Sequence, residues 1–246
     1  MKITILEPFF TGSHKQWAKG YQQYSEHDIQ ILSLKGKHWK WRMYGGAVSL
    51  AKQFMELKEL PDFILATDML DFTTFLALTR SRTANIPTAI YFHENQLTYP
   101  WKQNENAEKE QRDYSFINYI SALAADSVFF NSEYHKQSFL TELPNFLRQF
   151  PDYKELQNVK LIAAKSKVLP LGLDLKKFDD FKNIEKGKLP LIVWNHRWEY
   201  DKRPDEFFEA MYYLKGLGIH FELAVLGKDY KRKPACFDEA KVKLKD

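Results

Sequence analysis

88-TAIYFHENQLTYPW-101 begins as a strand and breaks into a polar cluster. Its first five residues, Thr88 to Phe92, show no alternation of apolar and polar side chains. A strand that is apolar on both faces is covered on both faces, which is the mark of a parallel sheet between helical layers. The same kind of run recurs as 2-KITIL-6, 29-IQILSL-34, 63-FILA-66, 127-SVFFN-131 and 167-KVL-169. Between these runs the apolar spacing predicts helices near 14–25, 45–58, 71–82, 108–125 and 132–147. Asp71 is a predicted N-cap, with Phe72, Phe75, Leu76 and Thr79 on one face behind it. The expected fold class is α/β, a doubly wound parallel sheet of Rossmann-like type.

The pattern then restarts. Residues 176–190 are charged and weakly apolar and read as a linker, followed by a strand at 191–195, a helix at 205–217 and a strand at 219–226. This predicts two domains, 1–180 and 187–246, with the second one incomplete. A Rossmann-like domain normally needs ~100–150 residues. The truncation also predicts an open sheet edge and uncovered apolar side chains in 219-IHFELAVL-226.

Composition narrows the class. The one cysteine, Cys236, excludes an internal disulfide and points to a reducing compartment, so a cytoplasmic location is expected. A net charge of +4 permits a polyanionic partner without demanding one. No segment approaches the ~20 apolar residues of a membrane span, so no membrane partner is expected. The first apolar run is broken by Glu7-Pro8 and reads as a strand rather than a signal peptide.

In open α/β sheets, ligands collect beyond the carboxyl ends of the strands. After the first strand comes 7-EPFFTGSHKQW-17. Here Gly12 permits close backbone approach, Ser13 is positioned to cap the next helix, and His14 would point into the cleft. The plainer reading is a capped helix start with an exposed histidine. After the fourth strand, His93, Glu94, Asn95 and Gln96 form a dense polar cluster, which would be costly to bury without partners. After the fifth strand, Asn131 or Ser132 is a helix N-cap, and a ligand at the same helix end is the functional alternative. No G-x-G-x-x-G fingerprint occurs, which argues against a dinucleotide enzyme, and no metal-ligand spacing is visible.

Two basic stretches remain. Residues 35-KGKHWKWR-42 hold four Lys/Arg, one His and two Trp with no acid. That mixture suits RNA, with charge for phosphates and rings for unstacked bases, so Lys35, Lys37, Trp39, Lys40, Trp41 and Arg42 are candidate RNA contacts. The alternative is a solvated loop with its tryptophans turned inward. Residues 228-KDYKRK-233 read as a solvated loop. In 193-VWNHRWEYDKRPDEFFEA-210, cations sit between a strand and a helix start, where α/β proteins bind phosphate.

In this order the segments resemble a GT4-type GT-B glycosyltransferase, a class with two Rossmann-like domains and the active site between them. The resemblance rests on 168-VLPLGLDLKKF-178 and on 192-IVWNHRWEYDKRPDEFFEA-210. More narrowly, EPFFTGSHKQW, YFHENQLTYP, FNSEYHKQSF and WNHRWEYDKRP are similar to the tRNA-queuosine mannosyltransferase family. This resemblance implies a retaining transfer of mannose from GDP-mannose to queuosine in tRNA, without a metal or other cofactor. It implies that Arg197 and Lys202 hold the donor diphosphate, with Arg203 a solvated neighbour. It also implies that His93 lies by the transferred sugar, with Gly12, Ser13, His14, Glu94, Asn95, Asn131 and Ser132 lining the substrate cleft. The Glu, seven residues, then Glu pair of the GT4 class has no match here, and is expected beyond Asp246, which would leave these residues inactive alone. Rival readings are the same fold acting on a glycan or lipid acceptor, and a non-catalytic RNA-binding module.

Overall fold

The computed structural model describes residues 1–100, 107–227 and 233–245. The chain divides into two compact units, Met1–Leu173 and Asp174–Asp246. The first contains strands β1 (Lys2–Phe10), β2 (Asp28–Lys35), β3 (Phe63–Thr67), β4 (Thr88–Phe92), β5 (Ser127–Phe130) and β6 (Ser166–Val168). They form one sheet in the order β2-β1-β3-β4-β5-β6, with every neighbouring pair parallel. Its helices are α1 (Gly12–Tyr24), α2 (Trp39–Met55), α3 (Phe72–Thr83), α4 (Ala107–Ala124), α5 (Glu133–Arg148) and α6 (Asn158–Ala164). The expected α/β class and parallel, Rossmann-like sheet are what the first unit shows.

Side-chain alternation explains why the strands lack polar positions. Leu6, Ile64, Ala66, Ile90, Phe92, Val128 and Phe130 enter one core with residues of α2 to α6. Ile3, Ile5, Leu65, Ala89 and Tyr91 enter the other, against Trp17 and Tyr21 of α1. Successive residues of a strand point to opposite faces, so a sheet covered on both faces needs apolar residues at every position. In the first core the rings of Phe92, Phe130 and Phe139 pack with centroids 5.1–5.4 Å apart.

Several details differ from expectation. Helix α2 spans Trp39–Met55 instead of 45–58 and so begins inside the basic stretch, and α6 has no counterpart among the expected helices. The strand predicted for 2–6 continues to Phe10, with a register shift between Glu7 and Phe10. Pro8 has no N–H to give the ladder, so the strand bulges there rather than ending. The cap of α1 is Thr11, without a side-chain hydrogen bond, and Ser13 lies inside the first turn, where it does not cap. Asp71 caps α3 as expected. Its carboxylate accepts from the Thr74 N–H at 2.9 Å and from the Thr73 and Thr74 hydroxyls at 2.6 Å each. Asp71→Ala is therefore expected to cost about 1 kcal/mol, read as a lower urea midpoint at unchanged slope.

The second unit pairs β7 (Leu191–Asn195) with β8 (Glu222–Leu226) in parallel, beside α7 (Pro204–Gly216) and α8 (Cys236–Lys243). Its core is aromatic: Trp194, Phe208 and Phe237 are buried, and Trp198 stacks on Phe237 at 4.5 Å. Leu191, Val193, Ile219 and Leu226 are exposed. At the carboxyl end of this sheet Gly227 has φ +121°, and a Cβ there would lie 1.9 Å from the His196 carbonyl oxygen, so only glycine fits. Most of the basic run 228–233 lies outside the described residues. No described helix is long and apolar enough to cross a membrane.

Candidate active site

Strand order reverses at β1, with β2 on one side and β3 to β6 on the other. Such a reversal opens a crevice beyond the carboxyl ends of the strands, where ligands bind. Glu7 from β1, Asp68 just after β3 and His93 just after β4 all fall at this edge. Period-two geometry sets their direction. Ile3, Ile5 and Glu7 share a face of β1, and Ala89, Tyr91 and His93 continue one face of β4. That face meets α1, where His14, Trp17 and Tyr21 follow helical spacing.

The side chains converge. His14 Nδ1 lies 3.3 Å from Glu7 Oε2, and both side chains are nearly or fully buried. Glu7 Oε1 accepts the N–H of Phe9 at 2.9 Å, close to the bulge. The His14 and His93 rings lie 4.4 Å apart, and Trp17 and Tyr91 pack edge-on to His93 at 4.7 and 4.9 Å. The His93 N–H donates to Asp68 Oδ1 at 2.9 Å, and Asn131 Nδ2 donates to the His93 carbonyl at 2.8 Å. Asn131 Oδ1 in turn meets Ser132 Oγ at 3.2 Å and His135 Nδ1 at 3.1 Å. Ser132 Oγ accepts the His135 N–H at 3.1 Å and so caps α5.

Among the described residues, four buried polar atoms of this region have no hydrogen-bond partner: Asp68 Oδ2, His93 Nε2, Gln96 Oε1 and His135 Nε2. A buried polar atom without a partner is costly, and Asp68 Oδ2 and His93 Nε2, on residues joined by the His93 N–H to Asp68 Oδ1 bond at the carboxyl edge of the sheet, point to a ligand there. Electrostatics separates the three histidines. Burial opposes charge on His14, but the hydrogen bond and charge of Glu7 outweigh it and raise the imidazole to about 9. Burial, reinforced by the His14 cation, pushes His93 down to about 2. Burial lowers His135 to about 4. Complete burial drives the Asp68 carboxyl well above the usual carboxylate range. At neutral pH the site therefore presents one imidazolium beside neutral rings.

The other candidate residues fall as follows. Gly12 (φ +50°) and Ser13 are exposed at the start of α1. Glu94 is half-buried, and its charge is felt at His14 and Asp68. Asn95 is buried, but its amide is used in closing a turn with the Thr98 N–H (3.0 Å) and hydroxyl. In the basic stretch, Lys35, Lys37 and Trp41 are exposed. Trp39 instead packs against Tyr114 at 5.5 Å, Lys40 pairs with Glu110, and Arg42 reaches the Lys35 carbonyl at 3.4 Å. In the second unit, Arg197 is exposed and bridges to Glu199 at 3.2 Å, while half-buried Lys202 bridges to Asp201 at 2.9 Å. Arg203, in the left-handed region (φ 51°), occupies the cap position of α7 and pairs with Glu206.

Sequence spacing showed no metal site, but folding brings Glu7, His14 and His93 together, with one potential ligand atom each and all three within 4.8 Å of one another. The donor set suits a transition metal such as zinc. One pair in it, His14 with Glu7, is already joined as an ion pair.

Fold and site define a Rossmann-like unit with a buried histidine–carboxylate cluster at its topological switch. The chain belongs to the family of tRNA-queuosine alpha-mannosyltransferase N-terminal domains, whose model matches residues 2–173. It is similar to the tRNA-queuosine alpha-mannosyltransferase of Drosophila melanogaster, 33% identical over 253 residues. That match covers 98% of this chain, and the chain spans 65% of the fly protein.

Proposed function

We propose that the protein transfers mannose from GDP-mannose to the cyclopentene-diol of queuosine in tRNA, with retention of configuration and without a resident metal. The observation that carries the reading is the convergence of His14, in the first turn of α1, and His93, just after β4, whose rings lie 4.4 Å apart within the family-matched region although 79 positions separate them in sequence (93 − 14). Membership of the family supports the tRNA acceptor. The donor, the retaining course and a cytoplasmic location rest on the GT4-type resemblance and on the composition.

In this reading His93 and Asp68 lie by the transferred sugar, and the N-terminal turn of α1 with Gly12 and Ser13 approaches the substrate through backbone N–H groups. Glu94, Asn131 and Ser132 line the acceptor side, and Asn95 shapes it through its turn. Arg197 and Lys202 neutralise the charge that grows on the leaving GDP. A metal at Glu7, His14 and His93 would have to displace a proton held by an ion pair, which favours the metal-free reading.

The exposed part of the basic stretch serves tRNA: Lys35 and Lys37 for phosphates and Trp41 for an unstacked base. Lys40 and Arg42 add charge beside it, and Trp39 supports it from the core. The test is tRNA affinity. Replacing Lys35 and Lys37 by Ala is expected to lower the slope of log affinity against log salt by about 2. Trp41→Ala is expected to cost roughly 1–3 kcal/mol of tRNA binding. Unchanged affinity in both variants, with hexose transferred to a glycan or lipid, would favour the rival acceptor. Binding of tRNA without any transfer by the complete natural protein would favour the RNA-binding module.

A further inference from the structure

Helix α2 carries two adjacent glycines, Gly45 and Gly46, one turn after the exposed Trp41. Glycine inside a helix is destabilising relative to alanine, so each calls for a reason. Gly46 has one in the core. A Cβ there would lie 3.3 Å from Pro8 Cβ, so the helix passes tightly over the end of β1. Gly45 is different. The three atoms nearest to a Cβ built there all belong to the Trp41 indole: Cε2 and Cζ2 at 2.5 Å and Nε1 at 2.9 Å. The ring occupies the space that any other residue at 45 would fill. Trp41 is nevertheless 62% exposed, so it rests on the helix and still offers most of its surface to solvent. We propose that Gly45 is a positioning residue for RNA: it seats the Trp41 ring on α2 before a base of tRNA stacks on it. The proposal rests on the tRNA reading above for its ligand, but not for its packing.

The surroundings favour an unstacked base as the occupant. Lys35 and Lys37 stand exposed in the turn before α2, and residues 35–42 contain no acid. Lys40 shares its charge with Glu110, which leaves Lys35, Lys37 and Arg42 as the cations for phosphate. That turn is anchored at both ends. A Cβ on Gly36 would lie 2.2 Å from Thr11 Cγ2, so the chain sits directly on the Thr11 side chain. The Arg42 guanidinium donates to the Lys35 carbonyl at 3.4 Å and ties the turn to the start of the helix. Charges and ring are thus held at a set spacing, as phosphate and base are along a single strand. A ring already in place loses less freedom when a base stacks on it, which strengthens binding.

Gly45→Ala in the full chain tests this, because helix stability and RNA binding are expected to move in opposite directions. Alanine is the better helix former, so the urea midpoint should rise. The new methyl group displaces the Trp41 ring, so affinity for queuosine-containing tRNA is expected to fall about fivefold or more, the lower end of one stacking contact. The Trp41 indole N–H resonance, assigned by its absence in Trp41→Phe, should shift in Gly45→Ala. In a Trp41→Ala background Gly45→Ala should weaken tRNA binding no further, a dependence that a merely structural role would not produce. Undiminished tRNA affinity in Gly45→Ala, with Trp41→Ala weakened, would overturn the proposal and leave the tRNA reading intact. Equal losses in both backgrounds, or a lower urea midpoint that accounts for the loss, would also overturn it. Full tRNA affinity in Trp41→Ala would refute the RNA reading of this stretch together with the proposal. A dimer of the chain that Trp41→Ala dissociates, with tRNA affinity unchanged, would assign the ring to a second copy and overturn it likewise.

Discussion

His93→Ala is expected to lower turnover about a hundred- to a thousand-fold, the usual effect of removing one pre-positioned hydrogen-bonding group from a transition state. The backbone around His93 is held independently of its ring, by Asp68 Oδ1 on the N–H and Asn131 Nδ2 on the carbonyl. The ring itself ends in a buried Nε2 without a protein partner among the described residues. Truncation therefore removes the group that the proposed function sets beside the substrate while leaving its mounting in place. Circular dichroism of the variant should match wild type. Burial and the His14 cation hold His93 uncharged down to about pH 2, so its contribution is that of a neutral hydrogen-bonding ring and no acidic limb of the rate profile arises from it. A variant of full activity, or one whose lost activity follows lost folding, would remove His93 from the site.

The second large effect belongs to Arg197→Ala, which is expected to weaken binding of GDP and GDP-mannose about ten- to a hundred-fold. Magnitudes decide this. The bridge from exposed Arg197 to Glu199 is a surface ion pair, a type worth at most about 1 kcal/mol. A charge-assisted contact to a diphosphate is worth roughly 1.5–3 kcal/mol, so the ligand wins the exchange. The positive end of α7, with Pro204 at its first turn, favours negative charge there, but Asp205 and Glu206 in the same turn already offset it, so the expected effect is assigned to Arg197 itself. Calorimetric titration of GDP into both proteins measures it, and tRNA affinity should stay nearly unchanged. Equal GDP affinities would return the turn to a solvated basic loop.

The strands were legible because each is a short unbroken apolar run between helical patterns, and their boundaries agree to within one or two residues except at β8, which starts at Glu222 rather than 219, and at β1. There a bulge around Pro8 carries the strand past the point where a proline suggests an end. His14 and His93 were legible from one rule, that ligands gather after strands, whereas His135 was not singled out because it reads as one more polar residue in the first turn of α5. Asp68 obeys the same rule at β3 but is a single acid between Thr67 and the apolar Met69-Leu70, with no polar cluster to mark it. Glu7 was obscured because it reads as a strand breaker; its signal was the period of two with Ile3 and Ile5. The triad of Glu7, His14 and His93 has no sequence spacing because its members meet only through sheet topology. Trp39 and Trp41 look alike in sequence, yet one packs on Tyr114 and the other faces water, a choice set by helical phase in α2. Short α6 and α8 are hard to read, since seven or eight residues show barely two turns of periodicity.

The most direct measurement of the central claim is nucleoside mass spectrometry. The complete natural protein would be incubated with GDP-mannose and tRNA from cells with and without queuosine, and the digested nucleosides analysed. A hexosylated queuosine nucleoside is expected that requires the protein, GDP-mannose and queuosine-containing tRNA together. Queuosine left unmodified by active protein, or hexose appearing equally on tRNA that lacks queuosine, would contradict it.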